Sequence, residues 1–152
     1  YNGGSHVPLI VSMPNTLPKG NISKELTSGL DIFPTILSMI GVNQPTDRVI
    51  DGIDMWSCWK NSTISPRKQI FMNDDKDSFA LIENNFKYIE KSASEIGRYW
   101  NLQAGPFLYN LETDKEEAYD VSRLYPEIAE QMSNEIKEFK KELSKNIRGW
   151  KK

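Results

Sequence analysis

The sequence predicts an α+β fold in which a short covered strand and a helix come first, and a small antiparallel sheet packed by a long C-terminal helix follows. Three observations predict it. Between residues 69 and 111, short runs rich in aromatic and β-branched residues recur, broken by turn residues such as Asn84-Asn85. From Pro126 to Gly149, apolar residues return every three or four positions, the period of a helix with one apolar stripe. Ahead of both, an almost continuously apolar pentapeptide and a helix signal stand close together.

The pentapeptide is Val7-Pro8-Leu9-Ile10-Val11, which follows a Gly3-Gly4 turn and has the composition of a strand covered on both faces. Residues 14–21 are a loop by their Pro, Gly and Asn content. The next segment, 31–41, reads as a helix with Asp31 as N-cap, Pro34 in the first turn where its missing N–H costs little, and Gly41 as terminator. Ile32, Phe33, Ile36, Leu37 and Ile40 form a broad face that needs cover. Residues 42–69 read as irregular, with a turn at Asp51-Gly52 and apolar bulk at Trp56 and Trp59. Strands follow at 69–72, 79–83, 86–90 and 107–111, the second and third joined by Asn84-Asn85, a pair that tolerates positive φ in a tight hairpin. In the last helix Ile128, Met132, Ile136, Phe139, Leu143 and Ile147 supply the stripe that lies on the sheet.

Composition excludes several classes. Of 152 residues, 38% are hydrophobic and 26% charged, with 9 Gly and 8 Pro, which fits a soluble globular chain and neither a disordered nor a fibrous one. The net charge is -2 and basic residues are dispersed, so no nucleic-acid footprint is present. Lys137, Lys140, Lys141 and Lys145 alternate with Glu135, Glu138 and Glu142 in the manner of a solvated helix face. No apolar run has the length of a membrane span, and Tyr1-Asn2-Gly3-Gly4 is unlike a signal peptide. With Cys58 alone, no intrachain disulfide forms. The abrupt start, with a turn leading straight into a strand, points to a piece of a longer protein.

Few residues point to chemistry. His6 is the only histidine, so neither a Ser/His nor a Cys/His pair nor a multi-histidine metal site can be built within the chain. His6 itself reads first as structural and second as a substrate contact, since it follows a Gly-Gly turn near the expected edge of a sheet. Cys58, between Trp56 and Trp59, reads as packing rather than as a nucleophile. Asn73, Asp75 and Asp77 alternate like a calcium loop, but Ser78 and Asn84 stand where such a loop needs glycine and a bidentate glutamate. Asn21-Ile22-Ser23 and Asn61-Ser62-Thr63 match the N-glycosylation triplet, which has meaning only in a eukaryotic secretory protein. The residues alone describe an α+β unit without a complete catalytic constellation.

The order of motifs adds to this. Tyr1 to Val11 resembles the Tyr-Glu-Gly-Gly-x-Arg/His-x-Pro-x-Ile segment of the sulfatase family, and Pro14 to Gly20 the loop after it. Leu30 to Leu37, with Gly41, is similar to the family's Asp-hydrophobic-Phe-Pro-Thr helix. Asp51-Gly52-Ile53-Asp54 resembles its Asp-Gly-x-Ser/Asp turn, Phe86-Lys87-Tyr88-Ile89 its Lys-Tyr strand, and Leu108-Tyr109-Asn110-Leu111 with Asp114 its Leu-Tyr-Asp-Leu-x-x-Asp-Pro segment. Each motif is short; in this order over the whole chain they are specific. Asn2 replaces a common glutamate, Lys115 the usual proline, and Asp120 the following asparagine.

The resemblance implies that residues 1–65 are the C-terminal end of a large sulfatase α/β portion, carrying its last strand and helix, and that residues 66–152 are the small C-terminal subdomain. It implies a sulfuric ester hydrolase whose oxidised Cys/Ser-x-Pro-x-Arg nucleophile (formylglycine) and calcium ligands lie before Tyr1, because Cys58 is followed by Trp59-Lys60-Asn61-Ser62 instead. On this reading the chain holds no catalytic residue, metal or cofactor of its own. Only His6 borders substrate. The chain's partner is the N-terminal catalytic portion of the same protein, an isolated fragment self-associates through its uncovered strand and helix, and the compartment is periplasmic, secreted or lysosomal. Two other classes fit the same residues: a non-catalytic binding or structural module derived from the fold, and part of a related phosphoesterase.

Overall fold

The computed structural model describes residues 4–73, 78–90 and 105–145. These residues belong to two compact units: Pro8–Lys68, and residues 4–7 with the described residues from 69 to 145. The α+β class and the sheet-and-helix arrangement expected from the sequence are both present.

The first unit is held around one short helix. A single 3-10 turn, Gly29–Asp31, leads into α1 (Ile32–Met39). Asp31 is the N-cap position of α1 as expected but makes no side-chain cap bond there; the side-chain cap belongs to the turn before it, where the Ser28 hydroxyl accepts from the Leu30 N–H (3.3 Å) and the Asp31 carboxylate accepts from the Ser28 N–H (2.8 Å), a reciprocal capping box. Pro34 sits in the first turn of α1 as expected. Gly41, at φ 70°, ends the helix: its N–H reaches the Ser38 carbonyl and the Val42 N–H reaches that of Leu37, the two bonds of a Schellman motif.

Two expectations for this unit are corrected. The stretch 42–69, read as irregular, contains a six-residue helix, α2 (Trp56–Asn61), started where the Asp54 carboxylate accepts from the Trp56 N–H (2.8 Å) and ended by Ser62 in the left-handed region. Residues 7–11, read as a covered strand, lie in no strand here, and Val7, Leu9, Ile10 and Val11 are exposed. A strand exists only through ladder partners, and this chain provides none to that stretch among the described residues.

The second unit is an antiparallel meander of β1 (Gln69–Asn73), β2 (Phe79–Glu83), β3 (Phe86–Ile89) and β4 (Phe107–Asn110), in that spatial order. Asn84 and Asn85 make the β2–β3 turn with φ of 45° and 65°, the positive values that match a two-residue hairpin to strand twist. Register aligns Phe71, Leu81, Tyr88 and Leu108 in one row across the four strands. The long helix α3 (Pro126–Lys145) lays its stripe on that face, burying Met132 and Ile136 against Phe79, Leu81, Tyr88 and Leu108. Phe139 stacks on Phe71 with ring centroids 4.1 Å apart, and the Lys140 ammonium lies over the Phe79 ring while pairing with Glu90. Ile147 and Gly149, and Asp75 and Asp77 of the carboxylate alternation, lie outside the described residues.

Alternation along β3 turns Lys87 to the opposite face from Tyr88. There its ammonium meets the Glu117 carboxylate at 2.7 Å, both side chains almost wholly buried. The loop bringing Glu117 there is fixed by two aspartates. Asp114 accepts from the Ala118 and Tyr119 N–H groups (both 2.9 Å), and Asp120 from those of Leu108 and Ser122 (both 3.0 Å). A carboxylate oxygen accepts these bonds as an amide oxygen would, so the loop closes with Asp120 in place of asparagine and Lys115 in place of proline.

Leu108→Ala should cost about 2–5 kcal/mol of stability, the range for truncating a fully buried leucine with partial collapse of the cavity. Urea unfolding followed by tryptophan or far-UV signals checks it; a loss below about 0.5 kcal/mol, the range of surface substitutions, would mean that this row is not the core.

Candidate functional site

The most concentrated polar constellation of the first unit surrounds Asp31, which is fully buried. Arg67 bonds it from two nitrogens, Nε to Oδ2 at 2.7 Å and Nη2 to Oδ1. The Ile53 N–H donates to Oδ1 (2.8 Å) and the Ser28 N–H to Oδ2 (2.8 Å), so each oxygen carries one guanidinium and one backbone donor. Arg67 also donates to the Asp51 carbonyl at 3.0 Å. One turn along α1, the Thr35 hydroxyl donates to the Asp31 carbonyl (2.6 Å) and accepts from the Met55 N–H (2.8 Å). Gly52 completes the knot by proximity: a Cβ there would lie 2.0 Å from the Leu30 carbonyl oxygen. Glycine at 52 thus serves a close backbone approach rather than the turn the sequence indicated.

Burial by itself raises the Asp31 pKa, but the hydrogen bonds from Arg67, Ile53 and Ser28 and the Arg67 charge outweigh it and hold the carboxyl below its ordinary value. An ionised carboxylate with all its donors supplied by the fold is a structural anchor. The sequence carried a signal for part of this, since Ser28-x-x-Asp31 is a capping-box pattern ahead of an apolar run. Nothing local marks Arg67, thirty-six residues away, as its partner.

The residues singled out from sequence are dispersed. His6 is exposed and belongs to the unit built around the sheet, apart from the unit that holds Asp31. Cys58 is buried in α2; burial pushes its thiol pKa up, and the negative charge of Glu25 pushes it further, which favours the unreactive thiol. Asn21 Nδ2 donates to the Ser62 hydroxyl (3.0 Å), which ties the two Asn-x-Ser/Thr triplets to each other. Among the described residues no three His, Cys, Asp or Glu side chains gather to hold a metal, and no helix is long and apolar enough to cross a membrane.

The knot also decides which side of α1 is presented. Asp31, Pro34 and Thr35 face inward and are fully buried. Ile32, Phe33, Ile36 and Ile40, four of the five residues of the apolar face read from sequence, are 40–65% exposed. That face is uncovered within its unit.

Comparison with known proteins identifies the family. The family model for the C-terminal region of N-sulphoglucosamine sulphohydrolase matches residues 1–144. The chain belongs to the sulfatase family, as its C-terminal part. It is 26% identical over 145 residues to an N-acetylgalactosamine-6-O-sulfatase of Bacteroides thetaiotaomicron, a match that spans 92% of this chain and 28% of that protein. A 52-residue stretch is 46% identical to human arylsulfatase D, covering 34% of this chain and 9% of that protein. Among solved structures, a sulfatase from Pseudoalteromonas sp. superposes with a TM-score of 0.66 at 20% identity, over 82% of this chain and 27% of that one, which shows the shared fold. This sulfatase region thus spans little more than a quarter of the bacterial relative it matches from end to end.

Asp31→Asn, which leaves the Arg67 charge without its counterion, should cost about 3–5 kcal/mol, the range for breaking one side of a buried pair. Because the folded pKa of Asp31 lies below the unfolded value of about 3.9, its contribution is complete above that value and is lost as pH falls through the folded one. Acid titration of unfolding stability should therefore show a loss below about pH 4 that is smaller in Asp31→Asn, the remainder coming from other lowered carboxylates such as Asp114 and Asp120; equal acid sensitivity in both proteins would contradict the assignment.

Proposed function

We propose that this chain is the cleft-bordering C-terminal portion of a sulfuric ester hydrolase, with the nucleophile and metal ligands supplied by polypeptide outside it. The observation that carries the proposal is the family match over residues 1–144, in a chain spanning 28% of a full sulfatase relative. On this reading residues 1–65 end the large α/β portion and residues 66–152 form the small subdomain. The exposed face of α1 and the unpaired residues 7–11 support it, since both have the composition of elements covered by a larger body.

Calcium and formylglycine belong to the full-length enzyme. The described residues do not fit either group, for Cys58 is a buried protonated thiol outside a Cys-x-Pro-x-Arg motif and no three His, Cys, Asp or Glu side chains among them are placed to hold a metal. In the whole protein, stabilising the charge that develops on the sulfate oxygens falls to cationic groups of the other portion. This chain contributes shape and one side-chain contact: His6, exposed and adjacent to residues 7–11, touches substrate at the cleft rim. The substrate class is a sulfate ester, and the compartment is periplasmic, secreted or lysosomal. Detached from the rest, the chain covers α1 with a second copy of itself.

The full-length protein should hydrolyse an aryl sulfate, whereas this chain alone, with calcium added, should give no turnover. His6→Ala in the full-length protein should raise KM several-fold and leave kcat within about twofold, the signature of lost ground-state binding. Turnover by the isolated chain would sink the proposal, and hydrolysis of an aryl phosphate in place of the sulfate would assign the related phosphoesterase class.

A further inference from the structure

Where α3 crosses the β1–β2 edge of the sheet, two glutamines and two glutamates close a ring. Gln69 on β1 donates from Nε2 to Glu83 Oε1 (2.9 Å) and to Glu135 Oε2 (2.8 Å). Gln131 on α3 donates from Nε2 to Glu83 Oε2 (3.3 Å) and to Glu135 Oε1 (2.9 Å). All four carboxyl oxygens are thereby used, and the ring ties β1, β2 and α3 together at one point. Glu83 stands opposite Gln69 in the ladder, and Gln131 and Glu135 are one helical turn apart, so backbone geometry fixes all four positions.

Both donors in the ring are neutral amides, and both acceptors are carboxyl groups brought together by accepting from the same two amide nitrogens. Such a pair resists holding two negative charges, because like charges at that separation disfavour the second ionisation. Among the described residues, the charged groups whose partners are known are engaged elsewhere. On β3 the ladder partner of Glu83 is Phe86, and Lys87 beside it faces the other side of the sheet, bound to Glu117. On α3 the neighbouring Glu138 adds a further carboxylate and is itself paired with Lys141 at 2.6 Å; Glu142 and Lys145 line the same groove farther along the helix. On β1, Phe71 is the next residue on this face.

We propose that the ring around Glu83 is a pH-dependent clasp that fastens α3 to the β1–β2 edge under acidic conditions and loosens as Glu83 ionises beside Glu135. In the closed form Glu83 holds a proton taken from solvent; in the open form the proton has returned to solvent and two carboxylates face each other. Burial and the proximity of Glu135 raise the Glu83 pKa, with the Gln69 bond opposing them in part. The sign follows from that direction. A carboxyl whose folded pKa lies above its unfolded value of about 4.3 stabilises most below the unfolded value, and that contribution fades as pH rises through the folded one.

Hydrogen exchange read by mass spectrometry on the full-length protein, corrected for intrinsic rates, tests this between about pH 4.5 and about pH 7.5, a range spanning the titration of raised carboxyls. Protection of peptides covering 79–83 and 128–138 should fall several-fold across the range in the wild type. Glu83→Gln, an isostere of the protonated acid, should hold the acid-side protection throughout, and Glu135→Gln should do the same. A wild type whose protection is flat with pH, or variants that lose protection in parallel with it, would overturn the clasp.

Discussion

The arrangement of the first unit depends on one buried ion pair. Asp31 and Arg67 meet inside a unit whose fully buried side chains, among the described residues, include only one large apolar residue, Met55, beside Pro34, Thr35 and Asp31. A unit of this kind cannot be held by apolar burial alone. The guanidinium instead gathers the Asp51 carbonyl and the Asp31 carboxylate, the carboxylate gathers the N–H groups of Ser28 and Ile53, and Gly52 permits the chains to touch. A polar knot has a geometric consequence that an oily core lacks: it fixes the rotation of α1. With Asp31 and Thr35 turned inward, the helix has to turn Ile32, Phe33, Ile36 and Ile40 outward, and a sulfatase C-terminal part is thereby left with an apolar face suited to a larger neighbour.

The second unit is built on the opposite plan. Its row of Phe71, Leu81, Tyr88 and Leu108 is covered by the stripe of α3, and its polar pairs sit around that core rather than at its centre. Lys87 and Glu117 hold the loop after β4 against the far face, and the glutamine–glutamate ring holds the helix at the β1–β2 edge. Removing one partner of the Lys87–Glu117 pair leaves an uncompensated charge, so such a pair specifies the loop's position more than it adds net stability.

Much of this was legible in the sequence where the pattern was local. The helix period from Pro126 onward, the Asn84-Asn85 hairpin, the strand runs and the Gly41 stop each follow from residues within a few positions of one another, and each is present as read. What the sequence concealed was relational. The inner face of α1 is chosen by Arg67, far along the chain, which inverts the simple rule that apolar residues point inward. Residues 7–11 have the composition of a strand, but strand formation requires partners that composition does not provide. The helix at Trp56 was hidden because two tryptophans, a cysteine and a serine are indifferent helix formers, and its start depends on the Asp54 bond rather than on propensity. Of the site residues, the isolation of Cys58 could be read from its neighbours, whereas the distribution of His6 and Asp31 into different units could not.

On the proposed function, α1 and residues 7–11 are docking surfaces completed by the rest of a sulfatase. Hydroxyl-radical footprinting of Phe33, Ile36 and Ile40 in the full-length protein and in the isolated chain at low concentration tests it most directly. All three should be strongly protected in the full-length protein and oxidised readily in the isolated chain, in line with their exposure here. Equal oxidation of these side chains in both would contradict it.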